Sequence, residues 1–473
     1  MAAGNQAAQA GREMVPPARQ EVFCTKDDGY RGIWHGQTPT KDAYVYKYSG
    51  GLATYPYQHR PFAIYAPEVR KTFFCYGGAA KGFHTRPINQ SFGANQLLHM
   101  VSYYDHATGT VPRPTLLLDK WCADAHDNPV LSIDRDGFLW IFSPSHGSGT
   151  TPSFVHRSTK PFSIERFETV ETGLFAYPQP WYLPEHGFVM MHTIYDRGRT
   201  LRWRVSADGW RWSESHLLAK IAQGSYQVSG TDGRKVGTAF DYHPPQGGLE
   251  ARTNLYYLET LDGGKTWRTV DGKPVSLPLT EVQNPALVRD YEAEGLKNYL
   301  KDLRFDRNGN PVILYTITKG WQPGPETGPR EWYTARWTGR EWVFHPAMQS
   351  WNNYDMGEFA IEPDGSWRFI APTEPGPQPY NPGGEVALWV SKDEGRHWSN
   401  IRQLTRKSRY NHTFVRHPVN AHPDFFAFWA DGDTHVPSEV RLYFANRDGT
   451  VVRRLPYIMS EDAATPEVVT DFS

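Results

Sequence analysis

The feature that most constrains the fold is one shape repeated along the chain: a polar or aromatic residue, a short apolar strand, a turn rich in Asp, Gly or Pro, and a second apolar strand. Its clearest copy opens on His126-Asp-Asn-Pro, continues with VLSID, turns at Arg135-Asp136-Gly137 and runs through FLWIF to Ser145-His146-Gly147. Two apolar runs joined by an Asp-Gly turn specify a β-hairpin. The shape returns as PFAIYAPEVRKTFFCYGG after His59, WYLPEHGFVMMHTIY after Tyr177 and YQVSGTDGRKVGTAFDY from Tyr226. It returns again as LKDLRFDRNGNPVILYTITKG before Trp321, GEFAIEPDGSWRFIAPT from Gly357 and NHTFVRHPVNAHPDFFAFWADGD from Asn411. Intervals of about 45 to 70 residues leave room for two further strands per unit, which is the size of a four-stranded blade. The seven units predict an all-β fold, a seven-bladed β-propeller of four-stranded antiparallel blades; a β-sandwich and a right-handed β-helix are the alternatives.

A second signal sits beside the outer strands. Ser206-Ala-Asp208-Gly209-Trp-Arg-Trp212, Thr260-Leu-Asp262-Gly263-Gly-Lys-Thr-Trp267 and Ser391-Lys-Asp393-Glu-Gly395-Arg-His-Trp398 resemble the Asp-box turn of sialidase-type repeats. In such a turn the Asp side chain caps backbone amides, Gly takes a positive φ and Trp packs between sheets. Composition agrees: 14% aromatic residues with 42 Gly and 37 Pro favour short strands and tight turns over long helices. The only helical candidate lies at residues 292–300.

Charge and cysteine content exclude several classes. Fifty Lys plus Arg against 51 Asp plus Glu give no field to draw the chain onto nucleic acid or an anionic membrane, so an acidic substrate needs a local cluster. Cys24, Cys75 and Cys122 form no C-x-x-C pair, and neither a disulfide framework nor a cysteine zinc site is indicated. No apolar run is long enough to span a membrane, and residues 1–20 lack the apolar segment of a secretory signal. Residues 1–20 are expected to be a disordered lead-in, and 21–473 a single propeller domain acting as a monomer.

In an antiparallel hairpin, the residue before the first strand and the residue after the second share one edge of the sheet, opposite the turn. His126 and His146 bracket one hairpin this way. The same rule gathers His59, Tyr177, Tyr195, Tyr226, Tyr242, His243, Lys319, His412 and Asp431 on that face, joined by Arg197, Arg199 and Arg252 from its loops. Such a rim suits β-elimination at a uronate, which needs a base for the C5 proton, a cation or strong donor for the carboxylate, and an acid for the leaving oxygen. Histidine and tyrosine supply base and acid, and arginine matches a carboxylate with a bidentate fork. A glycosidase usually needs two facing carboxylates, and this rim offers few acids, chiefly Asp431 and Glu374. His417 and His422 are expected to be structural, and His99 and His106 carry no functional expectation.

The segments DGYRGIW at 28–34, KYSGGLATY at 47–55, SYYDHATGTVPRPTLL at 102–117, AHDNPVLSID at 125–134 and YPQPWYLP at 177–184 resemble the neuraminidase-repeat-like propeller family, which contains ulvan lyases and rhamnose-glucuronate lyases. The resemblance extends over nearly the whole chain. It implies a seven-bladed propeller lyase with a histidine pair in the second blade, a tyrosine in the chemistry and an arginine that neutralises the uronate. The histidines carry over onto His126 and His146. Tyr195 with Arg199 is the first choice for the rest, while Tyr177, Tyr242, Arg197 and Arg252 stay open. The expected site is therefore His126, His146 and Tyr195 as catalytic residues, with Arg199, Arg252, Tyr242 and His59 binding an acidic polysaccharide. A pocket around His59 would instead mark an exo-acting rhamnose-glucuronate lyase or an α-L-rhamnosidase-type glycosidase; a sialidase-type hydrolase and a non-catalytic glycan-binding propeller are the other rivals. No cofactor is expected for catalysis. The resemblance allows a structural calcium or zinc ion, but no cysteine lies in the C-terminal half, so zinc there needs other ligands. The expected location is extracellular or periplasmic.

Overall fold

Each of the seven predicted hairpins forms the inner two strands of one blade. They are Ala63–Ala66 with Lys71–Gly78, Val130–Ile133 with Leu139–Ser143, Ala176–Leu183 with Gly187–Tyr195, Gln227–Thr231 with Val236–Tyr242, Lys297–Phe305 with Pro311–Thr318, Glu358–Ile361 with Trp367–Glu374, and Asn411–Arg416 with Ala427–Gly432. Two further antiparallel strands complete five of the blades, and three complete the first and the last. The computed structural model describes residues 22–53, 57–82, 97–122, 124–147 and 152–473; the lead-in expected at 1–20 lies outside them.

The blades stack through aromatic side chains. Trp140, Trp332, Trp367 and Trp429 are fully buried, and each such ring removes on the order of 150–250 Å² from water. The Asp-box turns follow the third strands of their blades and act as expected. Asp208 Oδ1 accepts from the amides of Trp210 and Arg211 at 2.9 and 3.0 Å, and Asp262 Oδ1 accepts from Lys265 and Thr266 at 3.0 and 2.9 Å. Gly209 takes φ +77° directly against the Trp140 ring, a position no side chain could share.

The helical expectation at 292–300 is corrected. Residues 292–295 turn, and Lys297–Phe305 is the inner strand of the fifth blade, in register with Pro311–Thr318. Tyr299, Leu300 and Leu303 are fully buried there, and pairing with a buried partner strand overrides the local propensity. Among the described residues the helical elements are three-residue 3₁₀ turns.

Ring closure falls between the last blade and the first. Ile64 makes a parallel bridge to Val419, and Ala463–Ala464 pairs with Val111–Pro112. An N-terminal hairpin, Trp34–Pro39 with Tyr46–Gly51, packs against the last blade: Trp34 Nε1 donates to Asp433 O at 2.6 Å and Ser49 Oγ to Thr434 O at 2.6 Å. This hairpin carries His35, Lys47 and Tyr48 to the mouth of the central channel. Deeper in, Arg60, Asp302, Glu358 and Arg416 form a buried ionic lattice, with Arg60–Asp302 at 2.5 Å and Arg416–Glu358 at 3.2 Å. It links the first, fifth, sixth and seventh blades across the axis. Removing any one charge would strand the others in low dielectric.

Candidate active site

His126 sits in the 3₁₀ turn Ala125–Asp127, immediately before the inner strand of the second blade, and Asp124 caps that turn by accepting the His126 amide at 3.0 Å. The same carboxylate then binds both imidazoles. His126 Nδ1–H donates to Asp124 Oδ1 at 2.5 Å, and His146 Nδ1–H donates to Asp124 Oδ2 at 2.7 Å. The two rings stack with centroids 4.1 Å apart and 22° between planes. His146 lies just beyond the second strand of the hairpin, and its amide donates to Asp127 Oδ1. With both Nδ1 atoms committed, each ring turns Nε2 the other way. Tyr48 OH donates to His126 Nε2 at 2.9 Å, and the His35 ring stands 5.7 Å from His126.

Electrostatics separates the pair. Burial pushes His126 down to about 3, against the pull of Asp124. Burial also opposes the charged form of His146, yet the hydrogen bond and charge of Asp124 outweigh it and raise His146 above its ordinary value. Asp124 is buried too, but the two histidines hold its carboxyl well below the usual range. The result is an ionised carboxylate, a neutral inner imidazole and a more basic outer one.

Tyr195 ends the second strand of the third blade with its ring 5.5 Å from His146. Its hydroxyl donates to Tyr177 OH at 3.2 Å, and burial, partly offset by Arg199, pushes it up to about 12, so the phenol keeps its proton. Arg199 begins the next strand directly across from Tyr195. Its guanidinium lies 5.3 Å from the Tyr195 ring and 4.8 Å from that of Tyr226. His126, His146, Tyr195 and Arg199 thus meet at one mouth, as the hairpin-edge argument expects.

The remaining predicted residues divide. Arg252 is 1% exposed, sandwiched 4.4 Å from Tyr226 and 4.5 Å from Tyr299, and donates to Tyr57 OH at 3.4 Å; it forms the floor. His59 is fully buried with its ring 5.2 Å from Tyr177, below the mouth. Tyr242 is not brought to the site. Its side chain packs with Trp181, Phe240 and Tyr256 between blades, and its hydroxyl donates to Glu292. The period-two alternation of a strand explains this: Asp241 and His243 take the inward face, with the His243 ring 5.0 Å from Tyr226 and Asp241 pushed by burial up to about 7. His412 and Asp431 also leave the rim for the interior of the last blade, where His412 Nδ1 accepts from Trp429 Nε1 at 3.0 Å and Asp431 Oδ2 accepts from Tyr443 OH at 2.7 Å.

Sequence reasoning missed Asp124, Tyr48, His35 and Lys47. Asp124 had a signal, an acidic residue two places before a turn histidine, where N-caps occur. The others come from the N-terminal hairpin, which is not part of the repeat. Lys47 pairs with Glu250 and lies 5.5 Å from the Trp321 ring, extending the polar mouth. His35, Asp124 and His126 could also offer ligand atoms to a metal, all within 4.8 Å of one another.

The fold and this site define a seven-bladed propeller whose channel mouth carries a carboxylate-bridged histidine pair, a protonated tyrosine and arginines. The chain belongs to the BNR repeat-containing family, whose model matches residues 93–350, more than half of its 473 residues. An ulvan lyase of Alteromonas sp. (strain LOR) is 22% identical over 371 residues, covering 70% of this chain and 74% of the relative. The ulvan lyase-PL25 of Pseudoalteromonas sp. (strain PLSV) is 22% identical over 373 residues, covering 70% and 73%. A solved PL25 ulvan lyase superposes with a TM-score of 0.68 at 18% identity, over 89% of this chain and 96% of that one. That likeness bears out the propeller fold.

Proposed function

We propose that the protein is a polysaccharide lyase that cleaves an ulvan-type glycan, built from rhamnose and uronate, by β-elimination. The observation that carries this reading is the Asp124 carboxylate bridging His126 and His146 beside Tyr195 and Arg199. Two relatives that each cover about 70% of the chain are ulvan lyases, and a PL25 ulvan lyase has been solved with a segment of glucuronate linked to sulfated rhamnose.

In the proposed reaction Arg199 pairs with the uronate carboxylate and stabilises the charge that spreads onto it as the C5–H bond breaks. His146, made more basic by Asp124, takes the C5 proton through Nε2. The C5–H electron pair forms the C4=C5 double bond, the C4–O bond breaks, and Tyr195 O–H protonates the departing oxygen. His146 then releases its proton to solvent and Tyr195 regains one. His126, held neutral, keeps Asp124 oriented. Arg252 and His59 support the floor beneath the sugar. No redox partner enters the balance. An acidic polysaccharide is met outside the cell or in the periplasm, where the protein is proposed to act; among the described residues no helix is long and apolar enough to cross a membrane.

The test is ultraviolet absorbance of the purified protein with ulvan, beside a His126→Ala, His146→Ala double variant. A rise from the 4,5-unsaturated uronate in the wild type alone supports elimination at the pair. Release of reducing sugar without the double bond would overturn it.

A further inference from the structure

A second histidine cluster lies on the face opposite the active-site mouth, where the inner hairpins turn. His106 follows the strand Leu98–Asp105 of the first blade, and His422 lies between the inner strands of the last. Their rings stand 3.8 Å apart at 38°. Asp424 Oδ2 lies 3.8 Å from His422 Nδ1, and one ligand atom from each of the three residues falls within 4.8 Å of the others. We infer that His106, His422 and Asp424 bind a divalent ion of the zinc class across the seam where the ring closes.

Two imidazoles and a carboxylate are a donor set that zinc takes, with a water in the fourth position. The surroundings of His106 are those of a prepared ligand. Thr72 Oγ1 sits 2.8 Å from His106 Nε2, and a hydroxyl accepting from Nε2–H fixes the tautomer that leaves the lone pair on Nδ1. That Nδ1 is buried and has no hydrogen-bond partner among the described residues. Backbone bonds hold both histidines: His106 N–H donates to Arg70 O at 3.0 Å, and His422 O accepts from Phe425 N–H at 3.0 Å. The Tyr65 ring packs 5.3 Å from His106 and 4.9 Å from His422. His422 Nδ1 accepts the Asp424 amide at 3.1 Å, a bond it would exchange for the ion. Zinc–nitrogen bonds of about 2.0–2.1 Å at tetrahedral angles put ligand atoms roughly 3.4 Å apart, so the cluster needs only a small side-chain contraction.

The placement gives the ion a task. Ile64 bridges Val419 at this same seam, and the ligands come from residues 316 positions apart on the first and last blades. An ion bound only by the closed ring stabilises closure by an amount that rises with the logarithm of its concentration above Kd. This inference is independent of the lyase reading.

The experiment strips the full chain with a chelator, titrates it with zinc chloride, and follows bound zinc per chain and the thermal midpoint. The expected result is one tightly bound zinc that raises the midpoint, lost in His106→Ala and in His422→Ala. Asp424→Asn alters a carboxylate that is 66% exposed, so it keeps the fold while weakening zinc by about tenfold or more. The His126→Ala, His146→Ala double variant should bind zinc as the wild type does. Failure of the folded wild type to bind zinc, or binding kept by folded His106→Ala and Asp424→Asn, would overturn the inference.

Discussion

His126 and His146 share one anion: they stack 4.1 Å apart, and each donates Nδ1–H to a different oxygen of Asp124. A single carboxylate supports one nearby cation well, and exposure decides which ring carries it. The His126 side chain is 2% exposed and that of His146 25%, so burial keeps the inner ring neutral while Asp124 makes the outer one the more basic. In the proposed reaction the pair therefore acts as one base with a fixed scaffold rather than as two bases.

Asp124→Asn tests that division. An amide keeps the shape but removes the charge that makes His146 basic, and loss of general-base function of this kind costs about 10²–10⁴-fold in rate. The wild-type rate is expected to climb with pH as His146 loses its proton, through a midpoint above the ordinary histidine value because His146 is raised. In Asp124→Asn that limb should move to lower pH. A pH–rate profile of both proteins, followed by ultraviolet absorbance, checks the sign.

Tyr195→Phe removes the proposed acid and leaves the ring against His146. We expect turnover to fall by about 10²–10⁴-fold with polysaccharide binding largely retained. Separate measurement of kcat and of equilibrium binding would expose the error if the loss fell on binding instead.

Arg199 should resist conservative replacement. Loss of a charged hydrogen-bonding partner costs about 1.5–3 kcal/mol, so Arg199→Ala is expected to lower kcat/KM by roughly 10- to 100-fold. Lysine cannot offer the planar fork, and Arg199→Lys should recover only part of the loss. Equal activity of Arg199→Lys and wild type would remove bidentate carboxylate recognition from this residue.

The Asp-box turns make a prediction about the scaffold. At Gly209 a Cβ would overlap the Trp140 ring, whereas at Gly365, with a similar positive φ, a Cβ meets nothing within 4 Å. Gly209→Ala should lose about 1–3 kcal/mol from overpacking beyond the backbone strain common to both. Denaturant unfolding of the two variants measures the difference.

Local pattern was enough for the architecture. Apolar runs paired around Asp-Gly turns located all seven inner hairpins, and the edge rule put His126, His146, Tyr195 and Arg199 at one mouth, because a hairpin fixes its own ends with no help from the rest of the chain. What the rule could not supply was side-chain parity and long-range company. Tyr242 occupies the correct edge of the sheet yet faces the neighbouring blade, a matter of register that one residue's shift reverses. Residues 292–300 turn and extend into a strand because a buried partner strand was waiting for them. Tyr48 reaches His126 from 78 positions away, and His106 meets His422 only once the ring has closed. The sequence alone determined which segments pair and which face their ends share, since those are near-neighbour geometry. Only the tertiary structure decided which imidazole is the more basic, because burial and a shared carboxylate exist only after distant blades have packed.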